Sequence, residues 1–144
     1  MPVFDRSKLV SFSAEQMFAL VDDVERYCEF LPWCRESQVL EINDEVMKAQ
    51  LSVSKGPLNL SWITKNTREP GRSIGMVLEQ GPFQYLSGTW RFEPLDAMAS
   101  KVTLKLEYEL EGALKRVALS MIFDQIVRSL IQAFIDRAGE IYDR

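Results

Sequence analysis

The hydrophobic period of this chain switches once, and that switch limits the possible folds more than any other feature. Residues 36–111 alternate as strands do, whereas residues 113–143 repeat as one long helix. The clearest alternation sets Val102, Leu104, Leu106, Tyr108 and Leu110 against Lys101, Thr103, Lys105, Glu107 and Glu109. Earlier runs behave likewise: Val39, Leu40 and Ile42; Met47, Ala49, Leu51 and Val53; Leu58, Leu60 and Trp62; Ile74, Met76 and Leu78; Leu86, Gly88, Trp90 and Phe92. Asn43-Asp44, Gly56-Pro57, Pro70-Gly71 and Gly81-Pro82 supply the turns between them. One apolar face joined by tight turns predicts a meandering antiparallel sheet. The connections are short, so residues 1–144 are expected to form a single α+β domain.

The terminal helix carries more apolar surface than packing alone requires. Leu119, Ile122, Phe123, Ile126, Leu130, Ala133 and Phe134 share one face, and Val127, Ile131, Ala138, Ile141 and Tyr142 widen it. Asp124, Gln125, Arg128, Gln132 and Asp136 lie mostly opposite. A surface helix needs a stripe of little over ~100°, and this arc is nearer half the cylinder. Such a helix over a bent sheet makes a container with an apolar inner wall. Arg137 falls within that arc. It either donates to a ligand carbonyl or pairs with Asp5, Asp22 or Asp23, and the ion pair is the expectation because a lone buried charge is costly. Lys115 and Arg116 at the helix start either snorkel to the rim or approach anionic lipid.

The N-terminal part reads as a strand over residues 3–12, then a helix. Ser13-Ala14-Glu15-Gln16 is a capping box, followed by Met17, Phe18, Leu20, Val21 and Val24 at helical spacing. A short helix or turn covers Val24 to Phe30, and Pro32 ends it. The opening Met1-Pro2-Val3-Phe4-Asp5-Arg6 lacks the apolar stretch of a secretory signal, so a cytoplasmic protein is expected, touching membranes only peripherally.

Composition removes several functions. The chain has no histidine, and its net charge is −4. Catalysis by the commonest acid–base group is therefore absent, and general DNA binding is not expected. Cys28 and Cys34, six positions apart, match no redox or zinc spacing and read as reduced, partly buried thiols. Asp22, Asp23 and Glu25 read as a solvated helix end.

The run from Phe12 to Tyr27, then Phe30-Leu31-Pro32-Trp33-Cys34, resembles the ribosome association toxin family, related to the coenzyme Q-binding proteins of the START superfamily. So do Val53-Ser54-Lys55, the run from Gly81 to Phe92, Gln132-Ala133-Phe134 and Arg137-Ala138. Cys28 stands where many relatives have proline. The resemblance implies a helix-grip (START-like) fold, a bent antiparallel sheet around the long helix with two short helices after the first strand. It implies an apolar tunnel whose guest is ubiquinone or another prenylated lipid, supporting respiration, with no required cofactor. Bacterial members imply a second role, as toxins of toxin–antitoxin systems that bind the large ribosomal subunit and block subunit joining. A local basic face of Lys65, Arg68 and Arg72 is the candidate for RNA contact. An aromatic cyclase activity is a third reading, disfavoured by the missing histidine.

The expected tunnel is lined by Trp62, by Phe83, Tyr85, Leu86, Trp90 and Phe92, and by Ile122, Phe123, Ile126, Leu130 and Phe134 of the helix. Phe30, Leu31 and Trp33, with Pro32, are either its gate or plain core. Burying a methylene is worth ~0.8 kcal/mol, so two or three isoprene units supply roughly 6–12 kcal/mol before association costs. Micromolar affinity follows without any catalytic apparatus.

Overall fold

The computed structural model describes residues 3–143; Met1 and Pro2 of the opening stretch, and Arg144, lie outside them. The order is β1 (Val3–Val10), α1 (Ala14–Asp22), a 3-10 helix (Val24–Glu29), β2 (Cys34–Ile42), β3 (Val46–Lys55), β4 (Leu58–Glu69), β5 (Ser73–Gln80), β6 (Phe83–Asp96), β7 (Ala99–Leu110), a 3-10 turn (Gly112–Lys115) and α2 (Val117–Tyr142). The strands form one antiparallel sheet in the order β1-β7-β6-β5-β4-β3-β2. All but the β1–β7 pair are neighbours in sequence, which is the meander that the turns predicted. This is the α+β helix-grip fold, with α2 packed against α1, β1, β4 and β7.

Local chemistry explains the elements. Ser13 accepts from the Gln16 amide at 3.1 Å and Gln16 Oε1 accepts from the Ser13 amide at 3.0 Å, so the capping box starts α1. Along β7 every second residue from Ser100 to Leu110 is buried, as period two requires of a half-covered strand. Gly81 adopts φ +152°, and a Cβ there would collide with Trp62. The core lies between sheet and α2, where Phe123, Ile126, Val127, Ile131, Phe134 and Ala138 are buried. By length and composition α2 is also apolar enough to cross a bilayer, but here those six residues face the sheet.

Several expected boundaries move. The strand ending at Trp62 continues to Glu69, and the one around residues 86–92 spans Phe83–Asp96. The first strand stops at Val10 instead of residue 12. The helix begins at Val117, because Gly112 at φ +61° opens a separate 3-10 turn. Lys115 and Arg116 therefore precede α2, and Lys115 reaches Glu109 at 3.7 Å.

Arg137 does not pair with Asp5, Asp22 or Asp23. Its partners are Glu29 at 2.6 Å and Glu140 at 3.3 Å, because α2 brings it to the end of the first 3-10 helix. Asp22 is taken by Arg68 at 2.9 Å and Asp23 by Arg26 at 3.0 Å. Arg68 also donates to the carbonyls of Asn43 and Asp44, and its side chain is only 12% exposed. It is therefore a strut between α1 and the β2–β3 turn and no part of an exposed basic face; Lys65 and Arg72 do remain exposed.

Candidate ligand cavity between sheet and helix

Period two aims alternate side chains of the sheet at α2, and between them lies a cavity of about 100 Å³. Its wall is formed by β3, β4, β5, β6 and β7 on one side, by α2 on another, and by Val24, Tyr27, Leu31 and Trp33 at one end. Small-molecule sites usually measure ~300–1,000 Å³, so the interior is a narrow space that widens only if side chains move. A larger groove of about 740 Å³ lies outside, between the start of α1, the turn at Pro70 and the end of β6 around Pro94. It is solvent-facing and carries both signs of charge, so it does not suit an oily guest.

Nine of the residues expected to line the tunnel do line this cavity: Leu31, Trp33, Trp62, Leu86, Trp90, Phe123, Ile126, Leu130 and Phe134. Five others lie elsewhere. Phe92 is buried edge-on to Phe18 of α1 at 5.8 Å. Phe83 packs behind the wall against Trp62 and Phe123. Ile122 is half-buried near Gly56. Phe30 stands in front of Phe134, ring centroids 5.1 Å apart. Tyr85 sits on the outer side beside Glu107 and Glu109, because the register slips between Phe83 and Tyr85.

Sequence reading missed other wall residues, including Val24, Tyr27, Ala49, Leu51, Thr64, Asn66 and Met76. Thr64 and Asn66 continue the inward face of β4 beyond Trp62, and their polarity hid the alternation. The usable signal was position, two and four residues past an inward tryptophan.

The wall has little reactive chemistry. Among the described residues it carries no carboxylate, lysine, arginine or cysteine. The Tyr27 hydroxyl donates to the Val21 carbonyl, and burial followed by the nearby Asp22 and Asp23 holds its pKa far above the usual phenol range. Just behind the wall, Tyr108 donates to Asp124 and is likewise raised, first by burial. Thr64 donates to Asn66 Oδ1 at 2.8 Å.

The end formed by the first 3-10 helix is built differently from the rest. The Arg137 guanidinium lies 5.1 Å from the Phe30 ring centroid while it pairs with Glu29, so one side chain of α2 holds both residues. Cys28, exposed, and Cys34, partly buried, are free thiols in contact between the 3-10 helix and the start of β2. Burial pushes the Cys34 thiol up to about 12, helped by its contact with Cys28. It stays protonated at neutral pH and is a weak nucleophile.

Residues 10–135 match the family described as polyketide cyclase / dehydrase and lipid transport, and the chain belongs to it. It is 44% identical to the ribosome association toxin RatA of Pseudomonas aeruginosa, over 95% of each chain. It is 33% identical to the mitochondrial coenzyme Q-binding protein COQ10 homolog B of Xenopus laevis, over 98% of this chain and 59% of that one. The crystal structure of the Zhui aromatase/cyclase of Streptomyces sp. R1128 superposes with a TM-score of 0.84 at 19% identity, covering 96% of this chain and 93% of that one. At that identity the likeness speaks for the fold alone.

Proposed function

We propose that this member of the polyketide cyclase/dehydrase and lipid transport family is a non-catalytic binding protein of the ribosome association toxin kind. It binds the large ribosomal subunit and hinders subunit joining. Its interior takes an apolar guest, a prenylated quinone such as ubiquinone or a related lipid. The two roles use different parts of the molecule and are compatible.

The ribosomal role is supported by the likeness to the Pseudomonas toxin, which is higher and covers both chains more fully than the likeness to the coenzyme Q-binding protein. With a net charge of −4, docking rests on local groups instead of broad attraction to phosphate. Sucrose-gradient profiles with excess protein test it: joined ribosomes should fall and free subunits rise. Unchanged profiles reject this role.

The lipid role is carried by one observation, an aromatic and aliphatic cavity between sheet and helix whose far end is closed by the first 3-10 helix and the residues after it. The guest lies within this cavity, its tail along α2. Among the described residues the wall carries no carboxylate, lysine, arginine or cysteine, and its Tyr27 hydroxyl is spent on the Val21 carbonyl, which supports binding over turnover. The place of action is the cytoplasm, with peripheral membrane contact where the lipid is exchanged. Organic extraction of the purified protein should release a quinone or prenyl lipid. Persistent absence of one, together with no binding on titration, removes this reading.

A further inference from the structure

The cavity is apolar with one exception. Thr64 and Asn66 are 7% and 6% exposed, and both line it. Their cross-strand neighbours on the same face are Ala49 and Leu78 beside Thr64, and Met47 and Met76 beside Asn66. A leucine or valine would suit these positions better if packing were their only purpose.

The pair is internally arranged. The Thr64 hydroxyl donates to Asn66 Oδ1, which orients the amide with its oxygen toward Thr64. Nδ2 then carries two N–H groups with no hydrogen-bond partner among the described residues. Unlike Arg68 Nε and Tyr85 Oη, Nδ2 is not fully sealed, and Asn66 lines the cavity. A donor left unspent in apolar surroundings costs folding free energy, and the cost disappears when a guest supplies an acceptor.

We infer that Asn66, oriented by Thr64, is the polar anchor of the cavity and donates to a carbonyl oxygen of the guest, so that the site selects oily molecules bearing an acceptor head group, a quinone above all, over plain hydrocarbon. The inference rests on the proposed lipid-binding role. It adds what that role leaves open: which atom of the guest is read, and by which side chain of β4.

Calorimetric titration with two probes tests it: a ubiquinone with two isoprene units, and geranylbenzene, which keeps the ring and tail but has no oxygen. Wild-type protein should bind the quinone about tenfold more tightly than the hydrocarbon, the ratio expected of one good hydrogen bond in a dry site. Asn66→Leu should erase that ratio while leaving geranylbenzene affinity unchanged or improved. Thr64→Val keeps the shape, frees the amide to turn and should reduce the ratio about threefold; it serves if Asn66→Leu fails to fold. Equal ratios in wild type and both variants overturn the anchor and leave the lipid role standing. Failure of wild-type protein to bind either probe overturns both.

Discussion

Phe123 and Phe134 stand about three helical turns apart on the same face of α2, and each is the hub of an aromatic cluster. Their partners differ. Phe123 meets Trp62, Phe83 and Tyr108 at 5.9, 5.4 and 5.0 Å, all from strands in the interior of the sheet. Phe134 meets Trp90 from β6, but its other partners are Tyr27 at 5.3 Å and Phe30 at 5.1 Å, from the first 3-10 helix and its end. Moving the first set would break sheet ladders. Moving the second disturbs a six-residue helix with no side-chain cap, held by side-chain contacts of Glu25, Tyr27, Cys28 and Glu29 and by no sheet ladder. The difference teaches where the cavity wall is tied into the sheet and where it is not: on the proposed lipid-binding role, the Phe134 end would be the door and the Phe123 end would stay fixed.

The largest effect should come from the fixed end. Phe123→Ala removes a buried ring that three others pack on and should cost about 3–5 kcal/mol. Thermal denaturation should register this as a fall of roughly 10–15 °C for a domain this size; a loss of only a degree or two would mean this hub is not structural. The door should respond in rate more than in stability. Phe30 is half-buried, so Phe30→Ala should cost only about 1–2 kcal/mol yet speed release of a bound short-chain quinone several-fold in stopped-flow displacement. If Phe83→Leu at the other end speeds release as much, the distinction between the two ends fails.

The smallest effect concerns pH. Burial raises Cys34 from its ordinary 9.0 to about 12, so in strong alkali the folded protein keeps a proton that the unfolded chain gives up. This contribution to stability is whole below about pH 9 and drains away as pH climbs through the folded value. Melting temperature should decline between pH 9 and 11, and Cys34→Ser should lessen the decline. The buried Tyr27 phenol, shifted in the same direction, leaves a remainder that Tyr27→Phe would remove. An identical slope in both variants would show that the door region does not titrate with the fold.

Much of this architecture was legible because the local signals were strong. The alternation of Val102 to Leu110 and the Ser13–Gln16 box translate directly into β7 and α1. The site was legible where inward positions are apolar. It was lost at Thr64 and Asn66, where polar residues face inward, and at Tyr85, where a bulge reverses the facing that simple counting gives. Arg137 was read as a charge needing a partner, but only the path of α2 tells that the partner is Glu29. Side-chain chemistry sets period and caps; register slips and long-range partners belong to the assembled sheet.

The pairing of β1 with β7 places Val3 opposite Glu107, with almost the whole sheet intervening in sequence. Such a join closes a long loop before its contacts repay the entropy, which favours slow, late folding. During synthesis the first strand must wait, one edge uncovered, until β7 has left the exit tunnel. A premature stop upstream of β7 would therefore release a chain that can close neither its sheet nor its grip.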